Sequence, residues 1–381
     1  MIHIRSVALI LIIAGCAPCP VCPPSKPPPE AARESVTYAP RAFNDLPGWS
    51  RAQLEPSLRA FIAGCARFKR VCDLAKSLPA GDEPAARKFF ETEFVPYALV
   101  SSDAGEYGLV TGYYEPIVEG SRSPGDAHRY PIFGVPSDLV VVDLGTLVPE
   151  TRGLRLRGRL DGRRLVPYYS RGEIDARGEG FGAPVLAWSG DPVELFFLQI
   201  QGSGQVRLEN GERIRVGYAD QNGHPYRSLG RYLVERGELA LEQASMQGIK
   251  AWAVANPQKL RDALNHNASY VFFRELPPAD GPIGALGVPL HAEASLAVDR
   301  RFVPLGAPVY LATTFPLSEE PLERLMAAHD TGGAIRGVAR ADFFWGTGPD
   351  AGAQAGRMRQ QARMWLLWPI GEPPPSAPAV P

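Results

Sequence analysis

Gly108-Leu109-Val110-Thr111-Gly112-Tyr113-Tyr114 is where this chain changes texture. Before it, apolar residues recur at helical spacing; from Leu109 onward they come in short runs between glycines and prolines, the mark of turn-rich β structure. Upstream, Ser50 and Gln53 read as a capping box. Leu54, Leu58, Phe61, Ile62, Cys65, Phe68 and Cys72 then fall on one face of a single amphipathic helix. A second helix is expected from Pro84 through Phe89, Phe90 and Phe94, closed by Pro96. On one continuous helix Cys65 and Cys72 would lie about 10.5 Å apart, beyond disulfide reach, so they are expected to pack as small hydrophobes.

Downstream, strands are expected at Leu139–Leu144, Leu195–Gln201 and Gln205–Leu208. Helical pattern returns from Pro225, across Ser245–Ala255, and after Asn256-Pro257, a cap followed by a first-turn proline. A Gly- and Pro-rich linker, Pro277–Pro289, precedes further strands at Val309–Ala312, Phe343–Trp345 and Met364–Trp368. Residues 369–381, nearly all Pro, Ala and Ser, read as a disordered tail. The length of 381 residues allows two or three domains with real cores, and the 39 Gly and 38 Pro suit β structure over a helical bundle. With 40 Lys+Arg against 41 Asp+Glu, the chain lacks the basic footprint of a nucleic-acid binder, so no nucleic acid is expected.

The first residues speak to compartment. His3 and Arg5 precede an apolar run, Val7–Ile13, far shorter than the roughly 20 residues that cross a bilayer. Ile13-Ala14-Gly15-Cys16 resembles the bacterial lipobox, which implies a signal peptide over 1–15 and a lipid on Cys16. Ala17 after it implies sorting to the outer membrane, facing the periplasm; an ordinary secretory signal is the alternative. Residues 16–42 read as a Pro-rich stalk. Cys16, Cys19 and Cys22 sit within its prolines, which hold an extended chain rather than fold around an ion, so no metal is expected there.

No G-x-S-x-G elbow is present, and the histidines are scattered without ligand spacing. The informative residues are three aspartates: Asp299 in Val298-Asp299-Arg300-Arg301-Phe302-Val303-Pro304-Leu305-Gly306, Asp330 in Asp330-Thr331-Gly332-Gly333-Ala334-Ile335, and Asp342 in Arg340-Ala341-Asp342-Phe343-Phe344-Trp345-Gly346. A carboxyl held among aromatic residues is desolvated, which raises its pKa toward that of a general acid. Aspartates beside glycines also serve as turn caps, and the pattern alone leaves both readings open.

Gly112-Tyr113-Tyr114-Glu115-Pro116, Gln199-Ile200-Gln201-Gly202-Ser203-Gly204 and the aspartate motifs, in that order, resemble the membrane-bound lytic murein transglycosylase A family over about Phe43 to Trp368. The resemblance implies a mainly β fold with flanking helices. In it, a double-psi β-barrel is built from 43–116 and 256–368, with 287–368 as the three-aspartate region. Residues 117–255 would form an inserted second β-barrel domain, with a groove where the two meet. It implies cleavage of the β-1,4 bond between N-acetylmuramic acid and N-acetylglucosamine, the muramyl C6 hydroxyl attacking C1 to give a 1,6-anhydro product. The implied partners are peptidoglycan glycan strands, a membrane through the lipid anchor, and assemblies with murein synthases or hydrolases; no cofactor or metal is needed.

By position in the motifs, Asp342 is expected as general acid and then base, Asp330 as its supporting carboxylate, and Asp299 as structural. Tyr113, Tyr114, Tyr270 and Phe272 are candidates to stack on sugar faces, and Gln199, Gln201 and Ser203 to bind their polar groups. Strand alternation would put Gln199 and Gln201 on one face and keep Tyr113 and Tyr114 from both lining the groove. Glu115 is a rival acid or a sugar contact, although Pro116 suggests a strand end. A glucan hydrolase on the same barrel and a noncatalytic peptidoglycan-binding lipoprotein are the other readings.

Overall fold

The computed structural model describes residues 34–151, 154–278 and 281–375. The leader, Cys16 with its C-x-x-C-x-x-C run, and the end of the tail lie outside the described residues. The first segment contains β1 (Val36–Pro40), α1 (Glu55–Gly64), α2 (Lys69–Lys76), α3 (Glu83–Glu93), β2 (Phe94–Ser101) and β3 (Gly108–Glu115). In the middle come β4 (Ile117–Ser121), β5 (Tyr130–Phe133), β6 (Val140–Val142), β7 (Leu156–Asp161), β8 (Arg164–Pro167), α4 (Arg171–Arg177), β9 (Val185–Ser189) and α5 (Pro192–Gln201). They are followed by β10 (Ser203–Leu208), β11 (Arg213–Gln221), α6 (Leu229–Glu235), α7 (Met246–Ala255), α8 (Pro257–His266) and β12 (Val271–Leu276). The last segment holds β13 (Ser295–Val298), β14 (Pro308–Thr314), β15 (Pro321–Asp330), β16 (Arg340–Thr347), α9 (Pro349–Ala355) and β17 (Arg359–Pro369).

The chain's two ends share one sheet, ordered β1-β2-β17-β14-β15-β13-β16-β3. Because β3 also pairs with β17, its last six strands close into a ring. Closure removes the unpaired edges that such apolar strands would otherwise expose. The core of this ring includes Val110, Leu296, Val309, Leu311, Phe343 and Leu366, all fully buried. Helix α1 covers β15, where the Ser57 hydroxyl donates to the Leu325 carbonyl at 2.6 Å. Phe61, Phe89, Phe90 and Phe94 meet at ring-centroid distances of 5.2–6.2 Å beneath the helices, in the tilted and edge-on contacts that aromatic quadrupoles favour.

The middle of the chain makes a second sheet, β12-β11-β10-β4-β9-β5, and a small one, β6-β7-β8. Val118, Ile132, Leu198, Val206 and Val216 form the apolar cluster of the second sheet, and helices α5 to α8 share another built on Phe196, Leu229, Ile249 and Trp252.

Several expectations need correction. The single helix over Leu54–Cys72 is two. A 3₁₀ turn at Cys65–Arg67 breaks it, and Cys65 and Cys72 approach to a Cα separation of 5.3 Å and form a disulfide. The continuous-helix distance failed because the helix is not continuous. The expected stalk to residue 42 ends sooner, since β1 pairs antiparallel with β2. The expected strand Leu195–Gln201 belongs to helix α5. Asp191 caps it by accepting from Val193 N at 2.7 Å, Pro192 opens it, and Gly202, at φ 76°, takes the left-handed position that ends it. The return to the first sheet also comes after residue 256. Helix α8 packs with α6 and α7, and β12 pairs with β11, so 257–276 go with the middle sheet.

Candidate active site

Strand β16 lies between β3, which it pairs in parallel, and β13, which it pairs antiparallel, with Asp342 opposite Thr111 on one side and Ala297 on the other. Along β16 successive side chains alternate faces. Ala341 and Phe343 go fully into the core, while Asp342 keeps accessible surface on the other face with Arg340. Thr111 Oγ1 donates to Asp342 Oδ1 at 2.7 Å, and Arg340 Nη2 donates to Thr111 Oγ1 at 2.8 Å. Burial, and to a smaller degree the neighbouring Asp330, push the Asp342 carboxyl up to about 6, while the Thr111 hydrogen bond and the Arg340 charge pull the other way.

Asp330 ends β15. Its Oδ1 accepts from the backbone N–H groups of Ala285 and Thr331, both at 2.9 Å, yet burial outweighs these bonds and raises its pKa. Tyr113 lies beside the pair. Its hydroxyl is buried without a hydrogen bond of regular geometry, and burial, then the charges of Asp330 and Asp342, hold its proton on. Its ring is tilted against Phe344 at 5.2 Å. Two carboxyls that resist ionisation and one phenol therefore lie together.

Asp299 lies in different chemistry. Burial acts to raise its pKa, but Arg301 donates to both carboxylate oxygens, at 2.6 Å from Nη2, and the N–H groups of Gly337 and Arg301 add bonds at 3.0 and 3.1 Å, so the net shift is downward. It stays charged and ties two loops together.

The other expected residues disperse. Tyr114 faces away from Tyr113, buried at the junction of the two sheets with its hydroxyl 2.9 Å from the Met246 sulfur; it lines a cavity of about 190 Å³ with Gln201 and Tyr226. Gln201, at the C-terminus of α5, accepts from Tyr114 N at 3.3 Å and so joins the middle of the chain to β3. Ser203 is half-buried at the start of β10. Glu115 is fully buried. It accepts from Gln205 Nε2 and Thr347 Oγ1, each at 2.8 Å, with Arg215 Nε at 3.4 Å, and pins β3 and β16 to β10 and β11. Gln199 is buried beside Tyr270, and Tyr270 and Phe272 belong to an aromatic cluster with Phe133 and Tyr168.

Thr111 and Arg340 were not singled out from the sequence. Both fall inside quoted motifs, but their link to Asp342 depends on the parallel pairing of β3 with β16, two strands 231 positions apart at Thr111 and Asp342. His329, adjoining Asp330, read as too weak a pair to carry chemistry. It is buried next to Asp330, with Nδ1 2.9 Å from the Ser295 hydroxyl, and burial lowers its pKa to about 4, which keeps it neutral.

Comparison with known proteins agrees with this architecture. The family model described as "MltA specific insert domain" matches residues 109–274, and that described as "3D domain" matches 294–368. Membrane-bound lytic murein transglycosylase A of Escherichia coli (strain K12) is 35% identical over 281 residues, covering 69% of this chain and 67% of that one. Among solved structures, MltA from Neisseria gonorrhoeae is 40% identical with a TM-score of 0.79, covering 89% of this chain and 94% of that one. E. coli MltA with bound chitohexaose is 28% identical with a TM-score of 0.62, covering 87% and 91%. Sequence, motif order and mainly β architecture together establish that this chain belongs to the membrane-bound lytic murein transglycosylase A family.

Proposed function

We propose that this protein cleaves the β-1,4 bond between N-acetylmuramic acid and N-acetylglucosamine in peptidoglycan without adding water, leaving a 1,6-anhydromuramyl end. The observation that carries the reading is the half-buried Asp342 carboxyl, beside Asp330, whose pKa is raised from 3.8 to about 6 so that it keeps its proton into the weakly acidic range. In the first step that carboxyl gives its proton to the departing glycosidic oxygen as the C1–O bond breaks. In the second, the resulting carboxylate takes the proton of the C6 hydroxyl as its oxygen bonds to C1. Proton and bond counts balance, and Asp342 ends as it began. An inverting hydrolase needs a second carboxylate placed to activate water across the sugar ring; an internal nucleophile removes that need.

The hydrogen-bond chain supports a division of labour within the carboxyl. Arg340 donates to the Thr111 hydroxyl, which leaves that hydroxyl's own proton for Asp342 Oδ1. Oδ1 is then the acceptor, and Oδ2 carries the acid proton. Asp330 sustains the protonated state by charge, and Tyr113 fills the wall between them. The closed ring is read as a double-psi barrel, and the middle sheet as the inserted domain whose junction with the barrel forms the glycan groove. Chitohexaose bound to the E. coli relative fits a groove for β-1,4-linked amino sugars. Gln201, at the end of α5, and Ser203, at the start of β10, would touch such a strand. The Cys65–Cys72 disulfide suits an oxidising compartment, in keeping with a lipid on Cys16 and an outer-membrane address facing the periplasm.

The test is product analysis. Murein sacculi digested with the soluble body should release anhydromuropeptides, each one water lighter by mass than a hydrolytic product. Reducing-end products instead, or undiminished digestion by Asp342→Asn, would overturn the assignment.

A further inference from the structure

A cavity of about 470 Å³ lies in the middle region, away from Asp330 and Asp342. That volume is in the range of small-ligand sites. Its walls come from β5, α4, the N-terminal half of α5, α8 and Tyr270. None of its lining residues belongs to the closed ring.

Its chemistry is cationic and aromatic. Arg171 is buried, only 4% exposed, with its guanidinium over the Phe196 ring at 4.7 Å and the Tyr270 ring at 5.1 Å. Nε and Nη2 donate to the Asn267 and Ser269 carbonyls at 3.0 and 2.8 Å, so the group is fixed in place. Among the described residues no carboxylate lies within ion-pair distance of it. A buried guanidinium in that state is an incomplete arrangement, because a desolvated cation is favourable only with an anion beside it. Arg129 and Arg261 stand on the same cavity, and the carboxyl that faces them is Asp175, whose pKa burial raises and the charges of Arg171 and Arg261 lower. Arg129 donates from Nε to the Asp126 carbonyl at 2.7 Å and makes a solvent-exposed pair with the Asp126 carboxylate at 4.0 Å. Three guanidiniums thus meet one carboxyl, with Tyr130 on the cavity wall as well.

We propose that this cavity binds the acidic stem peptide of the glycan strand, its carboxylates on the arginines and its free amine on Asp175. The idea rests on the proposed murein substrate and adds a second contact with it. Geometry permits the reach. Helix α5 runs from the cavity at Pro192 to Gln201, which touches β3, and nine residues of helix span about 13.5 Å. Four extended residues cover about 13 Å, so a peptide hanging from a sugar at the Gln201 end can enter the cavity.

The experiment compares peptide-bearing strands with strands stripped by an amidase, using the wild-type protein and the double variant Arg129→Gln/Arg261→Gln, whose side chains lie at the accessible side of the site. The variant should raise KM for peptide-bearing strands about fivefold and leave kcat and all turnover of stripped strands unchanged. Equal effects on both substrates, or none on either, overturn the proposal. Calorimetric titration of the free tetrapeptide L-Ala-γ-D-Glu-meso-diaminopimelate-D-Ala into the wild-type protein should saturate, and should weaken in the double variant; no heat overturns it. Tighter binding of an acidic protein C-terminal peptide than of the tetrapeptide also overturns it, in favour of a protein partner. Anhydro products from stripped strands continue whenever the proposed function holds, so loss of the cavity's role and loss of that reading are separable.

Discussion

A loop and a strand of one closed sheet hold aspartates that the sequence presents alike, each beside glycine and apolar residues, and the fold sends them opposite ways. At Asp299, burial is met by donors: Arg301 on both oxygens and the Gly337 N–H at 3.0 Å, so the carboxylate is kept charged. At Asp342 the hydrogen-bond donor is a hydroxyl, that of Thr111, and burial wins, raising the carboxyl to about 6. The supply of hydrogen-bond donors separates the two. Desolvation penalises the charged form at both sites, and enough N–H groups reverse it. In the proposed mechanism one carboxylate is thus a structural anchor and the other a proton store.

The comparison breaks most visibly at Asp342. Replacement by Asn should lower turnover of sacculi by about 10³-fold, within the range for losing a general acid, with an unchanged circular-dichroism spectrum. The same variant has a stability signature. A folded-state pKa of about 6, raised from 3.8, means the neutral acid stabilises the fold at low pH and that contribution is lost as pH rises through 6. Asp342→Asn should therefore melt higher than wild type at pH 8 and about the same at pH 4. In the wild type, kcat/KM should fall roughly tenfold per pH unit above about 6, as the acid form disappears.

Asp299→Asn should do the reverse. Removing a charge that accepts from Arg301 and Gly337 should cost about 2–3 kcal/mol at pH 7 by urea unfolding, while activity per folded molecule changes little. Because its folded pKa is depressed, that stability is present above the unfolded value near 3.9 and disappears as pH falls through the folded one. The gap between wild type and variant should narrow as pH falls below about 3.9; a gap that does not change with pH there would mean the anchor acts through packing and not charge.

The sequence disclosed the parts of this contrast unevenly. The aspartate motifs, the strand at Gly108–Tyr114 and the β-rich ends were legible, because glycine turns and apolar runs are local signals. Long-range pairing was not, so nothing local revealed that β3 lies against β16 and delivers Thr111 to Asp342. Glu115 read as a rival acid because a buried carboxylate and an exposed one are spelled the same. Only its partners Gln205, Thr347 and Arg215, on distant strands, give its place. The error at Leu195–Gln201 was avoidable: Asp191-Pro192 and Gly202 are start and stop signals of a helix, but the apolar run between them was read first as a strand. The helix break at Cys65–Arg67 was marked only by Gly64, the last residue of α1, against apolar spacing that runs on past it.

The smallest expected effect sharpens the comparison most, because it alters one donor and no carboxyl. Thr111→Val keeps the shape of the side chain and removes the hydrogen bond to Asp342 Oδ1. That bond favours the ionised form, so its loss should move Asp342 further from Asp299 in behaviour: the alkaline limb of the pH–rate profile should shift upward. The carboxylate formed midway through the reaction would be less stable, and kcat should fall about tenfold, the worth of one hydrogen bond to a charged group. Thr111→Ser retains the hydroxyl between Arg340 and Asp342 and should restore both the rate and the position of the limb. If Ser and Val behave alike, the hydroxyl does not set the proton's position, and donor supply would no longer explain why two aspartates in one barrel do different work.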